Sequence, residues 1–444
     1  AWANWISLVT LVPMEAVAAV QYMSSWPWSW ANWTKNFIKN GDITFKGIGV
    51  VFIFMLIFTM INFWSVKIMT HFTNLISIFK ILLPTLTIVT LICSGFHEHN
   101  FGTNIHEFMP YGSRSIFEAT SVSGIIMSYD AFQTIINMGG ELKNPRKNIV
   151  RGVLISMLIT AAIYIMLQVT FIGAVEPSML AKVGWHGIDF TSPFADLAIL
   201  MGINWLVILL YLDAFVSPFG TGVAFVATAS RALAAMTHTR HLPKWLGRIN
   251  QKYMIPRYAM ATDLILAVIL VSLFRNWNLL ATVITASTLI AYLTGPVTVM
   301  TLRKIRPDLA RPFKPRYMPW LAPIAFVLTS LAIYWSMWPT TIQVILVIAL
   351  GLPIYFYYEI RYQHSDLKKQ LHNCWWMIGY LIFMSFMSYI GSNGFGGQNW
   401  IKYPFDFVVI IVVSLLFYYW GVKSGRDQLD PYAEHIVQNK NKQK

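Results

Sequence analysis

The sequence predicts an all-α polytopic membrane protein with about twelve transmembrane helices. Three observations lead there. The 444 residues are 56% hydrophobic and 15% aromatic but only 12% charged, whereas soluble domains carry about 25% charged residues. The apolar residues fall in long unbroken runs, not in the alternating segments of about ten residues that a membrane barrel needs. The basic residues gather on alternate connections: 25 of the 33 Lys and Arg lie on one side, seven on the other, and Lys80 alone inside a run. That skew is the positive-inside pattern. It explains the net charge of +14 by topology, with no need for nucleic acid or an anionic ligand, and it puts the basic side and the C-terminus in the cytoplasm.

A helix needs roughly 20 apolar residues to cross the hydrocarbon. The expected spans are 3–24, 47–66, 72–94, 116–138, 149–174, 199–236, 259–274, 278–302, 320–337, 340–358, 372–391 and 404–421. The sixth is too long for one crossing and is expected to run on as helix or bend into the basic loop after it. Cys93 and Cys374 lie in or at apolar stretches, so they give neither a disulfide framework nor zinc spacing. No cleavable leader is visible. The chain opens on Ala1 with a span directly behind it, as expected of a sequence that starts partway into a longer protein. The tail after Trp420 is polar, ends QNKNKQK, and is expected to be disordered.

The first span, LVPMEAVAAVQYM, puts Glu15 at membrane depth. It is either a packing acid bonded to a neighbour or a contact for substrate or proton. The following SSWPWSWANW suits interfacial anchoring. Lys80 lies about a third of the way along its span. It either snorkels to the interface or stays buried, and a desolvated lysine gives up its proton readily, as proton coupling requires. His97, His99 and His106 in the next loop are too few and too loosely spaced for a closed metal site.

The stretch Ser121–Pro145, SVSGIIMSYDAFQTIINMGGELKNP, begins as an apolar span. It then sets Ser128, Tyr129, Asp130 and Gln133 within six positions before Gly139-Gly140. An acid at that depth needs a partner, a cavity or a function, and a span interrupted there points to a substrate site on broken helix. The alternative is a packing helix in which Asp130 bonds a neighbour. Pro145 disfavours helix at Asn144. In the sixth segment, Asp213 lies deep in an apolar run, Ser217-Pro218 is expected to open the backbone, and Gly220 and Gly222 permit close helix approach. Asp213 is there either satisfied in a kinked packing helix or part of an ion or proton site. The span 278–302 carries Thr282, Thr285, Ser287, Thr288 and Thr294, hydroxyls of a kind that usually bond back to their own helix.

Three motifs together carry a family resemblance. AFQTIINMGGELKNPRKNI resembles the sixth-helix signature of the amino acid–polyamine–organocation superfamily of permeases. SPFGTGVAFVATASRALAAM is similar to that family's eighth helix, and LRKIRPDLARPF to the loop after its tenth. Order and spacing fit along residues 1–337, and the subgroup resembled is that of bacterial aspartate–proton symporter-like proteins. The resemblance implies two inverted five-helix repeats with an amino acid bound between broken helices one and six. It makes the first span here helix three, with helices one and two missing. It divides the chain into a transporter core at 1–337, accessory transmembrane helices at 338–421 and a cytoplasmic tail at 422–444. It sets Lys80 in helix five, where some proton-coupled members carry a lysine in place of a sodium site, with Asp213 and Ser217 facing it from helix eight. Ala131-Phe132-Gln133 stands where many relatives have Gly-Phe-Glu or Gly-Phe-Asp. The family's acid is therefore absent, and Asp130, three residues earlier, is the candidate substitute.

The implied function is secondary active transport of an amino acid driven by protons, in a bacterial inner membrane. Ser128, Tyr129, Asp130, Ala131, Phe132 and Gln133 are expected at the substrate, and Lys80, Asp213, Ser217 and Glu15 at the proton. An amino acid exchanger is the alternative. A membrane-embedded enzyme or sensor is the reading from another class, and the scarcity of His and Cys in the spans speaks against an enzyme. No metal or cofactor is expected. No Walker motif appears, so ATP is not expected to drive transport.

Overall fold

A computed structural model of the chain describes residues 1–64, 66–122, 124–132, 144–237, 242–253, 255–308, 311, 314–362 and 367–425. They form a helical bundle with one short antiparallel ribbon, Ile38–Lys39 against Asp42–Ile43. The helices used below are α1 (Trp2–Ser24), α2 (Phe45–Trp64), α3 (Val66–Ser94), α4 (Gly112–Val122), α5 (Pro145–Ala174), α6 (Pro193–Leu200) and α7 (Asn204–Met236). They continue with α8 (Arg257–Leu273), α9 (Trp277–Ile305), α10 (Met318–Tyr334), α11 (Thr340–Ala349), α12 (Gly351–Tyr362), α13 (Leu367–Ile390) and α14 (Phe405–Lys423). Eight helical stretches among the described residues are long and apolar enough to cross a membrane. Among the described residues, helices occupy each of the twelve expected spans, with breaks in the fourth, the sixth and the tenth.

Which helices are buried follows from their surfaces. α1 is apolar all round and sits at the centre, against α7 and α9, with Leu8, Val9, Ala16 and Val17 fully enclosed. α5 is equally apolar, yet it turns Leu154, Ile155, Leu158, Ile159 and Ile165 outward. Such a face is too large for a water-soluble monomer and suits contact with lipid tails.

The long sixth run is two helices. α6 ends at Leu200, Gly202 turns the chain at φ +72°, and α7 runs unbroken for 33 residues, about 50 Å. The expected opening at Ser217-Pro218 is absent: α7 continues through Pro218. Proline removes one donor from the ladder, while packing against α1, α2 and α3 holds the helix on three sides. The two glycines make that packing close. A Cβ added at Gly220 would lie 2.7 Å from Ile76 Cδ1, and one at Gly222 would lie 2.4 Å from Phe58 Cε2. Beside them, Asn62 Nδ2 donates to the carbonyls of Phe58 and Val223, at 2.9 and 2.8 Å, fastening α2 to α7. Gly222→Leu is therefore expected to cost about 1–3 kcal/mol through overpacking, seen as a lower midpoint of thermal aggregation in detergent with Gly222→Ala intermediate.

α5 starts at Pro145, four residues before the expected span, with Asn144 capping it at φ +50°. Asparagine tolerates that conformation, and a first-turn proline gives up a hydrogen bond the helix would not have made. Gly139-Gly140 and the rest of 133–143 lie outside the described residues, as do 426–444 of the tail.

At the side of the bundle that carries the tryptophan-rich loop, α10, α13 and α14 are joined through buried polar groups. Tyr334 donates to Asp406 Oδ2 at 2.7 Å and accepts from the Ser392 N–H at 3.0 Å. The loop after α13 also meets α4: Tyr403 and Ser113 hydroxyls lie 3.0 Å apart, and Gly394 packs on the Arg114 side chain.

Candidate functional site

The first constellation is built on a broken helix. α4 stops at Val122, Gly124 follows at φ +77°, and a separate 3₁₀ turn spans Met127–Phe132. The turn is held by Asp130, which is 4% exposed. Its Oδ2 accepts from the Thr288 hydroxyl at 2.6 Å and its Oδ1 from the Tyr292 hydroxyl at 3.0 Å. These donors are four residues apart on α9 and so share one face. Thr288 Oγ1 also lies 2.6 Å from Ser7 Oγ on α1. Since the single proton of Thr288 goes to Asp130, Ser7 is the donor to Thr288. One carboxylate thus ties the turn, α9 and α1 together.

The neighbours of Asp130 in the turn have separate surroundings. Phe132 packs on Tyr292 with ring centroids 5.5 Å apart, and Tyr129 meets Tyr164 of α5 edge-on at 5.6 Å. Ser128 bonds locally, to the Ile125 carbonyl at 2.7 Å. Ala131 lies in the turn, and Gln133 falls outside the described residues.

The second constellation lies between α1, α3 and α7. Lys80 does not snorkel to the interface: its ammonium donates to the Thr221 hydroxyl of α7, and Thr221 donates to the Ser217 carbonyl at 3.1 Å. The carboxylates of Glu15 and Asp213 both act on Lys80 through space, but among the described residues neither comes within the 4.0 Å of an ion pair. Asp213 Oδ1 is shut off from solvent without a hydrogen bond. Asp213, Ser217 and Pro218 line a cavity of about 250 Å³. The structure thus gathers Lys80, Asp213, Ser217 and Glu15 in one place, with Tyr164 of α5 acting on Glu15 and packing on Tyr129 of the Asp130 turn.

Sequence reasoning missed several partners. Thr282 and Thr294 bond to their own helix, at 2.8 Å each, as expected of membrane hydroxyls. Thr288 does not, and nothing local distinguishes it. Asp263 on α8 was also passed over. It is buried, accepts from Trp5 Nε1 at 2.9 Å, and leaves Oδ2 without a partner. An acid in the apolar run TDLILAVILV was its visible signal.

Among the described residues, eight helices long and apolar enough to cross a membrane, outward apolar faces, a broken helix and buried charged side chains together define a multi-pass membrane protein. The chain belongs to the amino acid permease family, whose family model matches residues 1–345. It is 47% identical over 424 residues to the glutamate/serine transporter AimA of Bacillus subtilis, covering 96% of this chain and 78% of that protein. It is 32% identical over 425 residues to the aspartate-proton symporter of the same organism, covering 95% and 80%. The branched-chain amino acid permease BcaP, also of B. subtilis, is 24% identical over 318 residues, 72% of this chain and 65% of that one. These matches set the chain in the aspartate–proton symporter-like subgroup of the superfamily, and make it an amino acid transporter and not an enzyme.

Proposed function

We propose that the chain is a proton-coupled symporter whose substrates include acidic amino acids. The names of two relatives support the substrate class: glutamate and serine for one, aspartate with protons for the other. The observation that carries the coupling is the seat of Lys80, bonded to α7 by one hydroxyl and facing two unpaired carboxylates. Gaining or losing a proton at Lys80 changes its attraction to Glu15 on α1 and its hold on Thr221. It thereby biases how α3 sits against both helices.

The substrate is assigned to Ser128, Tyr129, Asp130, Ala131, Phe132 and Gln133. Backbone groups freed at a helix break bind the carboxylate and amine of an amino acid. Asp130 holds the turn in register, and Tyr129 and Phe132 supply its apolar walls. Residues 1–337 form the transport core of two inverted repeats in this reading, 338–421 the accessory helices and 422–444 a cytoplasmic tail. The basic skew supports a cytoplasmic C-terminus in a bacterial cell membrane.

The test is uptake of labelled glutamate, aspartate and serine by the intact protein in proteoliposomes. An inward proton gradient is expected to raise initial uptake at least tenfold over equal pH. Uptake indifferent to the gradient but stimulated by internal amino acid would make the protein an exchanger, and no uptake of any of the three would overturn both readings.

A further inference from the structure

We propose that protons reach Lys80 through the cavity beside Asp213, with Asp213 as the acid that receives them. This rests on the proton-coupled reading above and adds a route to it. The cavity is walled by Tyr22 of α1, Pro84 and Thr87 of α3, Leu167 of α5, and Asp213 and Ser217 of α7. These wall residues belong to the parts of their helices nearer Ser24, Ser94, Ala174 and Asn204. Those ends share the tryptophan-rich side: the His97 N–H bonds the Gly173 carbonyl at 2.8 Å, and Tyr211 bonds the Ser25 carbonyl at 3.0 Å. At about 30 Å³ per water the space has room for roughly eight molecules. Asp213 lines this space and is only half-buried, although its Oδ1 is turned away from solvent without a protein partner, an arrangement that is costly for a carboxylate unless its other face meets water.

Geometry continues the path inward. Asp213, Ser217 and Thr221 stand four residues apart on one stripe of α7, about 6 Å per step along the axis, and Thr221 touches Lys80. The titratable groups along this route are few. Asp213 acts on Lys80 of α3 and Tyr22 of α1; Lys80 also meets Glu15 of α1, and Tyr22 also meets Asp196 of α6 and Tyr211 of α7. α2 has only Lys46, in its first turn, and α8 presents Asp263, already bonded to Trp5. α5 contributes Tyr164, which acts on Glu15. Only Lys80 is cationic among those near Asp213. A proton taken by the Asp213 carboxylate passes through water to the Thr221 oxygen, while the Thr221 hydroxyl gives its own proton to the single lone pair of the neutral Lys80 amine. Asp213 returns to carboxylate and Lys80 becomes ammonium.

The experiment compares gradient-driven accumulation with counterflow at equal pH, which needs no net proton movement. Asp213→Asn is expected to lose accumulation at least tenfold with counterflow retained, and Asp213→Glu to restore part of it. Wild-type accumulation by Asp213→Asn overturns the route. A wild-type protein with counterflow but no gradient dependence overturns instead the proton-coupled reading itself. Should Asp213→Asn fail to fold, Leu167→Cys, at a half-buried position of the cavity wall, in a Cys93→Ser, Cys374→Ser background decides. A membrane-impermeant thiol reagent added from the tryptophan-rich side is expected to block accumulation more than counterflow, and equal uptake with and without reagent overturns the route.

Discussion

Lys80→Met is expected to abolish gradient-driven accumulation, leaving uptake flat with external pH while counterflow persists. Methionine keeps most of the side-chain length and none of the charge. The variant removes the bond from α3 to Thr221 on α7 and leaves Glu15 and Asp213 each without the cation that acts on them. Intramembrane charges are kept for function because their desolvation is expensive, so neutralising this one removes its own desolvation cost and offsets part of what the two uncompensated carboxylates add. The protein should still reach the membrane. Accumulation ratios in proteoliposomes at a fixed gradient measure the effect, and a Lys80→Met protein that still concentrates substrate would remove Lys80 from the coupling.

Asp130→Ala is expected to bring uptake to background. Two hydroxyls lose a carboxylate acceptor, at about 1.5–3 kcal/mol for each hydrogen bond to a charged group. The turn Met127–Phe132 then loses its tie to α9 and, through Thr288 and Ser7, to α1. A loss of only about 1.4 kcal/mol in holding the bound geometry is already a factor of ten. Asp130→Asn keeps the shape and one acceptor oxygen, so it should fall between wild type and alanine. The measurement is initial rate against substrate concentration, normalised to surface abundance. Unchanged kinetics in Asp130→Ala would make the turn's position irrelevant to transport.

How much of this was legible in the sequence depends on which force wrote it. Bilayer thickness and the cost of carrying charge across it act on every residue of a span, so the twelve runs and the basic skew could be read directly. The break after α4 was legible as a polar cluster. The chain in fact turns earlier, at Gly124, because left-handed backbone and not polarity ends the helix there. Gly202 made the same kind of break inside an apolar run and left too small a signal. Pairings were the least legible. Helical period places Asp213, Ser217 and Thr221 on one stripe, but it does not say that Lys80, 141 residues from Thr221, reaches that stripe. Nor does composition separate Thr288, which crosses to Asp130, from Thr282, which bonds its own helix.

The fastening of α4 has a mechanical consequence. One end of this half-helix is pinned to the loop after α13 by Ser113 and Arg114, and the other to Ser336 beyond α10 by a 2.8 Å bond from Ser121. A beam held at both ends does not swing. Any rocking of the Met127–Phe132 turn against α9 must then be taken up between the two segments, and Gly124 is the joint where the backbone has freedom to yield.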